Sequence, residues 1–211
     1  MVKTKSAVKK REENKKSKEK IELKPKEKVI SYLIENKQPQ SIMSISGAVL
    51  LDYKNTYTII NEFQPEIISK EKIGNTNLIQ LNLVPNQEIY SVEDKRTKEF
   101  LSRNPKLNLV YEDVKEVGYP FMSVLIFGSF TKGNNTPNSD IDLCIISDNK
   151  EKTKELMERL NLLSLKLEIQ DFTTKEFISM IEKTQNNLGK EIVKNNIVLY
   201  GIENYYNLIS K

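Results

Sequence analysis

Between Val124 and Ile146 the chain reads VLIFGSFTKGNNTPNSDIDLCII: an apolar run, a Gly-Ser turn, a polar loop, and a second apolar run that opens on two aspartates. Leu125, Ile126 and Phe127 are a run of strand length ending at Gly128-Ser129, where small residues let backbone N–H groups approach an anion at a helix start. Ten residues separate Ser129 from Asp140, and Asp142 follows two positions later. Alternate residues on a strand share a face, so Asp140 and Asp142 are expected to point one way while Ile141 and Leu143 point to the core. Two carboxylates side by side repel each other. A hard divalent cation such as Mg²⁺ or Mn²⁺ holds such a pair together and can bridge it to the phosphates of a nucleotide. The plainer alternative is a surface loop closing a hairpin that the aspartates merely cap.

The wording G-S-x10-D-x-D, with F-T-K-G after the turn and P-N-S-D before the second strand, resembles the minimal nucleotidyltransferases of the DNA polymerase β superfamily. The resemblance covers roughly residues 119–211, where LGKEIVKNNIVLYGIENYYNLI also looks like the family's terminal portion, with a strand over Ile197–Tyr200 ending at Gly201. It implies transfer of a nucleoside monophosphate, AMP from ATP, to a hydroxyl acceptor. It also implies a Mg²⁺ or Mn²⁺ cofactor and an NTP substrate. Carried over to this chain, Gly128 and Ser129 hold the triphosphate, with Lys132 and Ser139 beside them. Asp140 and Asp142 are the metal-binding catalytic carboxylates, and a third carboxylate comes from a nearby strand. The relatives it resembles are often antitoxins that adenylylate a HEPN-type toxin encoded beside them, which implies a protein partner.

Two residues compete for the third carboxylate. After the helix-like KTKELMERLNLLSLK comes LEIQDF, which alternates like a strand before a helix opens at Thr173-Thr174. Glu168 has apolar neighbours on both sides, as Asp142 does, and is the better metal ligand or general base; Asp171 cannot share its face and is the fallback. The chain has no histidine, which excludes a Ser-His-Asp triad and any His-ligated zinc. Its one cysteine, Cys144, lies on the aspartate strand and reads as a small buried hydrophobe.

Charge divides the chain. Residues 1–28 hold twelve Lys or Arg against five Glu, a net of +7, so with the whole chain at +4 the remainder carries −3. A stretch this charged and this poor in apolar residues cannot build a core. Residues 1–26 are expected to be a disordered basic tail, either a solubilising leader or a loose contact for nucleic acid. With no signal peptide, no long apolar run and no paired cysteines, a soluble cytoplasmic protein is expected.

A second module is legible between tail and aspartates. Val29, Ile30, Leu33 and Ile34 fall on one helical face, and Ile42, Ile45 and Val49 repeat the pattern. A third helix over 54–63 is expected to face Tyr57, Ile60 and Phe63 inward and Lys54, Asn55, Thr58 and Asn61 outward. A hairpin follows, in which residues 69–77 hold a glycine-bearing turn with Lys70 and Lys72. Three helices and a hairpin resemble archaeal winged helix-turn-helix domains. That implies DNA binding, with the third helix in the major groove and Lys70 and Lys72 on phosphate, or else protein contact and homodimerisation. The expected architecture is α+β: residues 27–88 a winged helix, 89–118 a helical linker interrupted near Asn104-Pro105, and 119–211 a polymerase-β-like domain with a small mixed sheet and flanking helices. Two functions remain open: a nucleotidyltransferase, and a DNA-binding regulator whose transferase fold senses nucleotide or dimerises.

Overall fold

A computed structural model describes residues 22–136 and 139–210; the tail expected over 1–26 lies outside the described residues up to position 21. Helices α1 (Pro25–Glu35), α2 (Ile42–Val49) and α3 (Tyr53–Glu62) and strands β1 (Gln40–Ser41), β2 (Ile68–Ile73) and β3 (Thr76–Leu81) make up the N-terminal half. The strands form an antiparallel sheet in the order β1-β3-β2. Each helix start is fixed locally. Ser41 accepts from the Ser44 N–H, and Asp52 from the Asn55 N–H, so one orphan donor is satisfied at each end.

Two expectations shift here, and one strand, β1, was not foreseen. Strand β1 is only two residues long, too short to leave a periodic signal. The hairpin is tighter than its sequence suggests: Ile73 pairs with Thr76, so Lys70 and Lys72 lie on β2, opposite Ile79 and Asn77, and the turn is Gly74-Asn75. On α3 the inward face is set by Thr56, Ile59 and Ile60, while Tyr57 stays 40% exposed. Thr56 wins the inward place because its Oγ–H donates to the Asp52 carbonyl at 3.0 Å, which satisfies the hydroxyl locally as it is buried.

The stretch expected to link the modules forms α4 (Gln87–Arg103) and α5 (Leu107–Val117), divided by Asn104 and Pro105. Both helices are built into hydrophobic cores. Ile89 and Val92 join a cluster that runs from Val29 on α1 to Ile209, whereas Leu101, Leu107, Val110 and Val114 belong to a second one. A buried polar knot ties α4 down. Glu93 accepts from Tyr206 Oη–H at 2.8 Å and from Arg96 at 2.5 Å, and the Thr97 Oγ–H donates to the Val198 carbonyl at 2.8 Å.

The C-terminal half is a four-stranded mixed sheet in the order β6-β5-β4-β7: β4 is Ser123–Phe127, β5 Ile141–Ile146, β6 Leu167–Phe172 and β7 Ile197–Tyr200. Strand β4 runs antiparallel to both neighbours and β5 parallel to β6. Both faces of the sheet are covered. Along β4, Leu125 and Phe127 enter the first cluster and Val124 and Ile126 the second, as a two-residue period requires. Around it lie α6 (Ser129–Lys132), α7 (Lys150–Asn161), α8 (Thr174–Glu182), α9 (Leu188–Lys194) and α10 (Ile202–Ile209). Helix α8 opens on a capping box between Thr173 and Glu176. At Gly201 a Cβ would sit 2.0 Å from the Met122 carbonyl oxygen, so only glycine lets β7 turn into α10 there. Among the described residues no helix is long and apolar enough to cross a membrane.

Candidate active site

The end of β4 and the start of β5 bring the Gly-Ser turn against the aspartates. Phe127 pairs with Asp142, and the next residue, Gly128, takes a φ of 71°. A Cβ at Gly128 would lie 1.9 Å from Asp142 Oδ2, so the turn can close over this carboxylate only because the residue is glycine. The Ser129 backbone N–H donates a hydrogen bond to Asp142. Gly128 and Asp142 are therefore one structural unit, held by a contact as well as by the chain between them.

The parallel register between β5 and β6 supplies the next carboxylate. Asp142 stands opposite Glu168, so the two share a face of the sheet, while Asp171 stands opposite Ile145 three positions on, on the other face. Asp140 lies just outside β5, exposed at its mouth. Burial pushes the Asp142 carboxyl above the usual carboxylate range. The negative charge of Glu168, and then of Asp140 and Glu191, pushes the same way, against the hydrogen bond from Ser129. Glu191, on α9, carried no signal in the sequence; it belongs to no motif and arrives through the packing of α9. It also accepts from Lys132 Nζ at 2.8 Å, so Lys132 reaches a carboxylate beside the site.

The other expected residues take defined places. Ser139 closes a turn, with its Oγ accepting from the Thr136 N–H at 2.9 Å. Cys144 is fully buried and its thiol is pushed up by burial. Lys54, Asn55, Thr58 and Asn61 all lie exposed on α3, but the Asn55 amide is engaged by Asp52 and the Thr58 hydroxyl by the Lys54 carbonyl. Lys70 lies over the Tyr57 ring, 5.1 Å from its centroid, and Lys72 is exposed. These groups belong to the N-terminal half, apart from the carboxylate set.

Residues 120–205 match the family model "Polymerase beta, Nucleotidyltransferase". The matched stretch holds the Gly-Ser turn, both aspartates, Glu168 and Glu191, so the nucleotidyltransferase likeness falls on the part of the chain that the register assembles. It points to transfer of a nucleoside monophosphate in general, and to a nucleotide and a divalent metal as what such a domain uses. No curated protein and no solved structure matches the chain. The donor set is all oxygen, which suits a hard cation. Among the described residues, however, no three carboxylates converge closely enough to form a ready-made cation site. The repulsion felt at Asp142 is what a bound cation would relieve, and in that respect the residues fit one.

Proposed function

We propose that this protein is a divalent-metal-dependent nucleotidyltransferase that moves a nucleoside monophosphate, AMP from ATP, to a hydroxyl acceptor. The observation that carries the reading is the shared face of Asp142 and Glu168 under the Gly128 turn, within a stretch similar to polymerase-β-type nucleotidyltransferases. Asp140, Asp142 and Glu168 are the residues that would hold Mg²⁺ or Mn²⁺. When bound, such a cation neutralises charge on the phosphates and polarises the phosphorus under attack.

The chain's own groups do the rest. Because position 128 is glycine, the turn packs directly against Asp142, which brings the Gly128-Ser129 backbone, the proposed holder of the polyphosphate, beside the metal-binding carboxylate. Lys132, drawn close by Glu191, supplies positive charge for the polyphosphate as a point charge. Glu168, on an edge strand and exposed, is placed to accept the proton of an incoming hydroxyl. The family resemblance suggests a protein hydroxyl as acceptor, on a partner such as a HEPN-type toxin.

ATP labelled on its α-phosphate, incubated with the protein, Mg²⁺ and lysate of the source cells, tests this reading. Label should move to a macromolecule with the wild type and not with Asp140→Asn/Asp142→Asn. Label transfer undiminished in the double variant would sink it.

A second reading concerns residues 27–88. The order helix, strand, helix, helix, hairpin, with β3 between β1 and β2, supports a winged helix that places α3 in a DNA groove. Lys54 and Asn61 would then contact DNA, with Lys72 on phosphate, and the transferase half would serve as sensor or dimerisation scaffold. Duplex binding that is unchanged in Lys54→Ala/Lys72→Ala would count against it.

A further inference from the structure

A cleft of about 350 Å³ lies where α1, α4, the loop after the Gly-Ser turn and the α9–β7 corner meet, and none of Asp140, Asp142 and Glu168 lines it. Positive charge is in surplus there. Arg96 is matched by Glu93 and Glu35, and Arg103 by Glu99. Lys37 and Lys194 also line the cleft, and among the described residues no carboxylate is within ion-pair distance of either.

Lys37 Nζ donates to the Lys194 carbonyl at 3.2 Å, which ties the end of α1 to the end of α9 across 157 positions of chain. Burial pulls the Lys37 ammonium down to about 8; Arg96 pulls the same way, and Glu93 and Glu35 oppose. An ammonium with a carbonyl partner, and with Glu93 and Glu35 acting on it only from beyond ion-pair distance, is a site that an anion completes. Phe100 and Phe130, both half-buried, offer apolar surface on the same wall. The size is at the lower end of small-molecule sites and exceeds what a single inorganic ion fills.

We propose that this cleft binds a small phosphate-bearing molecule, separate from the candidate transfer site, with its phosphate on Lys37 and Lys194. Lys194 ends the helix that carries Glu191, so occupancy of the cleft bears on an element that also reaches Asp142 and Lys132.

Calorimetric titration of inorganic pyrophosphate into the full chain in EDTA tests this without calling on metal or transfer. Wild type and Asp140→Asn/Asp142→Asn should bind alike, and Lys37→Gln/Lys194→Gln should bind at least tenfold more weakly. Lys194→Gln alone, at an exposed position that leaves the fold untouched, should give an intermediate affinity. Three results would overturn the proposal: no binding by the wild type, equal binding by the double lysine variant, or loss of binding in the double aspartate variant, which would move the phosphate to the transfer site.

Discussion

Asp142 is surrounded by like charge. Glu168 is its register partner, and Asp140 and Glu191 add to the negative field, while burial removes the water that would screen it. Without a cation the fold bears that repulsion. Asp142→Asn keeps the acceptor for the Ser129 N–H and removes the charge, so in EDTA at neutral pH it should raise the melting temperature, by about 2–4 °C for a gain near 1 kcal/mol. Thermal melts followed by circular dichroism read this directly; a lower melting temperature would contradict the account of the site. Lys37 gives a prediction in pH. Its ammonium falls to about 8 in the fold and stays near 10.5 in the unfolded chain, so the unfolded state binds more protons between those values. The cost of the depressed ammonium is therefore full below about 8 and fades as pH rises toward 10.5. In phosphate-free buffer, Lys37→Met should be more stable than wild type at pH 7, and the gap should narrow steadily on going to pH 10. A gap that widens with pH would contradict the assignment.

Elements were legible in the sequence where a period or a cap wrote them. The faces Val29-Ile30-Leu33-Ile34 and Ile42-Ile45-Val49 are buried as their spacing requires, and Thr173 caps α8 as its sequence suggests. The phase of α3 was not legible, because Tyr57 and Thr56 compete for the inward face and the outcome depends on a hydrogen bond to Asp52 that hydropathy does not encode. The Asp142–Glu168 pairing was half legible: alternation marked both residues, but only the parallel register decides that they meet and that Asp171 does not. Glu191 was not legible at all, since packing of α9 brings it in. Helix α4 gives the element-scale prediction. Glu93 is 1% exposed and takes hydrogen bonds from both Arg96 and Tyr206. Glu93→Ala would leave the Arg96 charge without its closest partner and should cost about 3–5 kcal/mol. Tyr206→Phe removes one donor and should cost about 1–3 kcal/mol. Urea unfolding measures both, and a Glu93→Ala loss smaller than that of Tyr206→Phe would show that the pair does not anchor the helix.

At the scale of the whole molecule, one hydrophobic cluster joins Val29 and Ile30 on α1 to Leu125 and Phe127 on β4 and to Tyr206 on α10. Composition suggested separate modules, because the charge break near residue 28 and the turn-rich hairpin are visible in sequence while a shared core is not. With these side chains buried together, differential scanning calorimetry of the full chain should show a single cooperative transition. Two resolved transitions would mean that the halves unfold independently. The carboxylate set stands at the end of the sheet, where the glycine turn closes over Asp142. The central claim is that this set, with a divalent cation, holds a nucleotide. The most direct test is calorimetric titration of ATP into the wild type and into Asp140→Asn/Asp142→Asn, each with Mg²⁺ and with EDTA, so that only the metal-dependent part of binding is compared. The account predicts Mg²⁺-dependent binding in the wild type that disappears in the double variant; metal-dependent binding of equal strength in both, or none in the wild type, would contradict it.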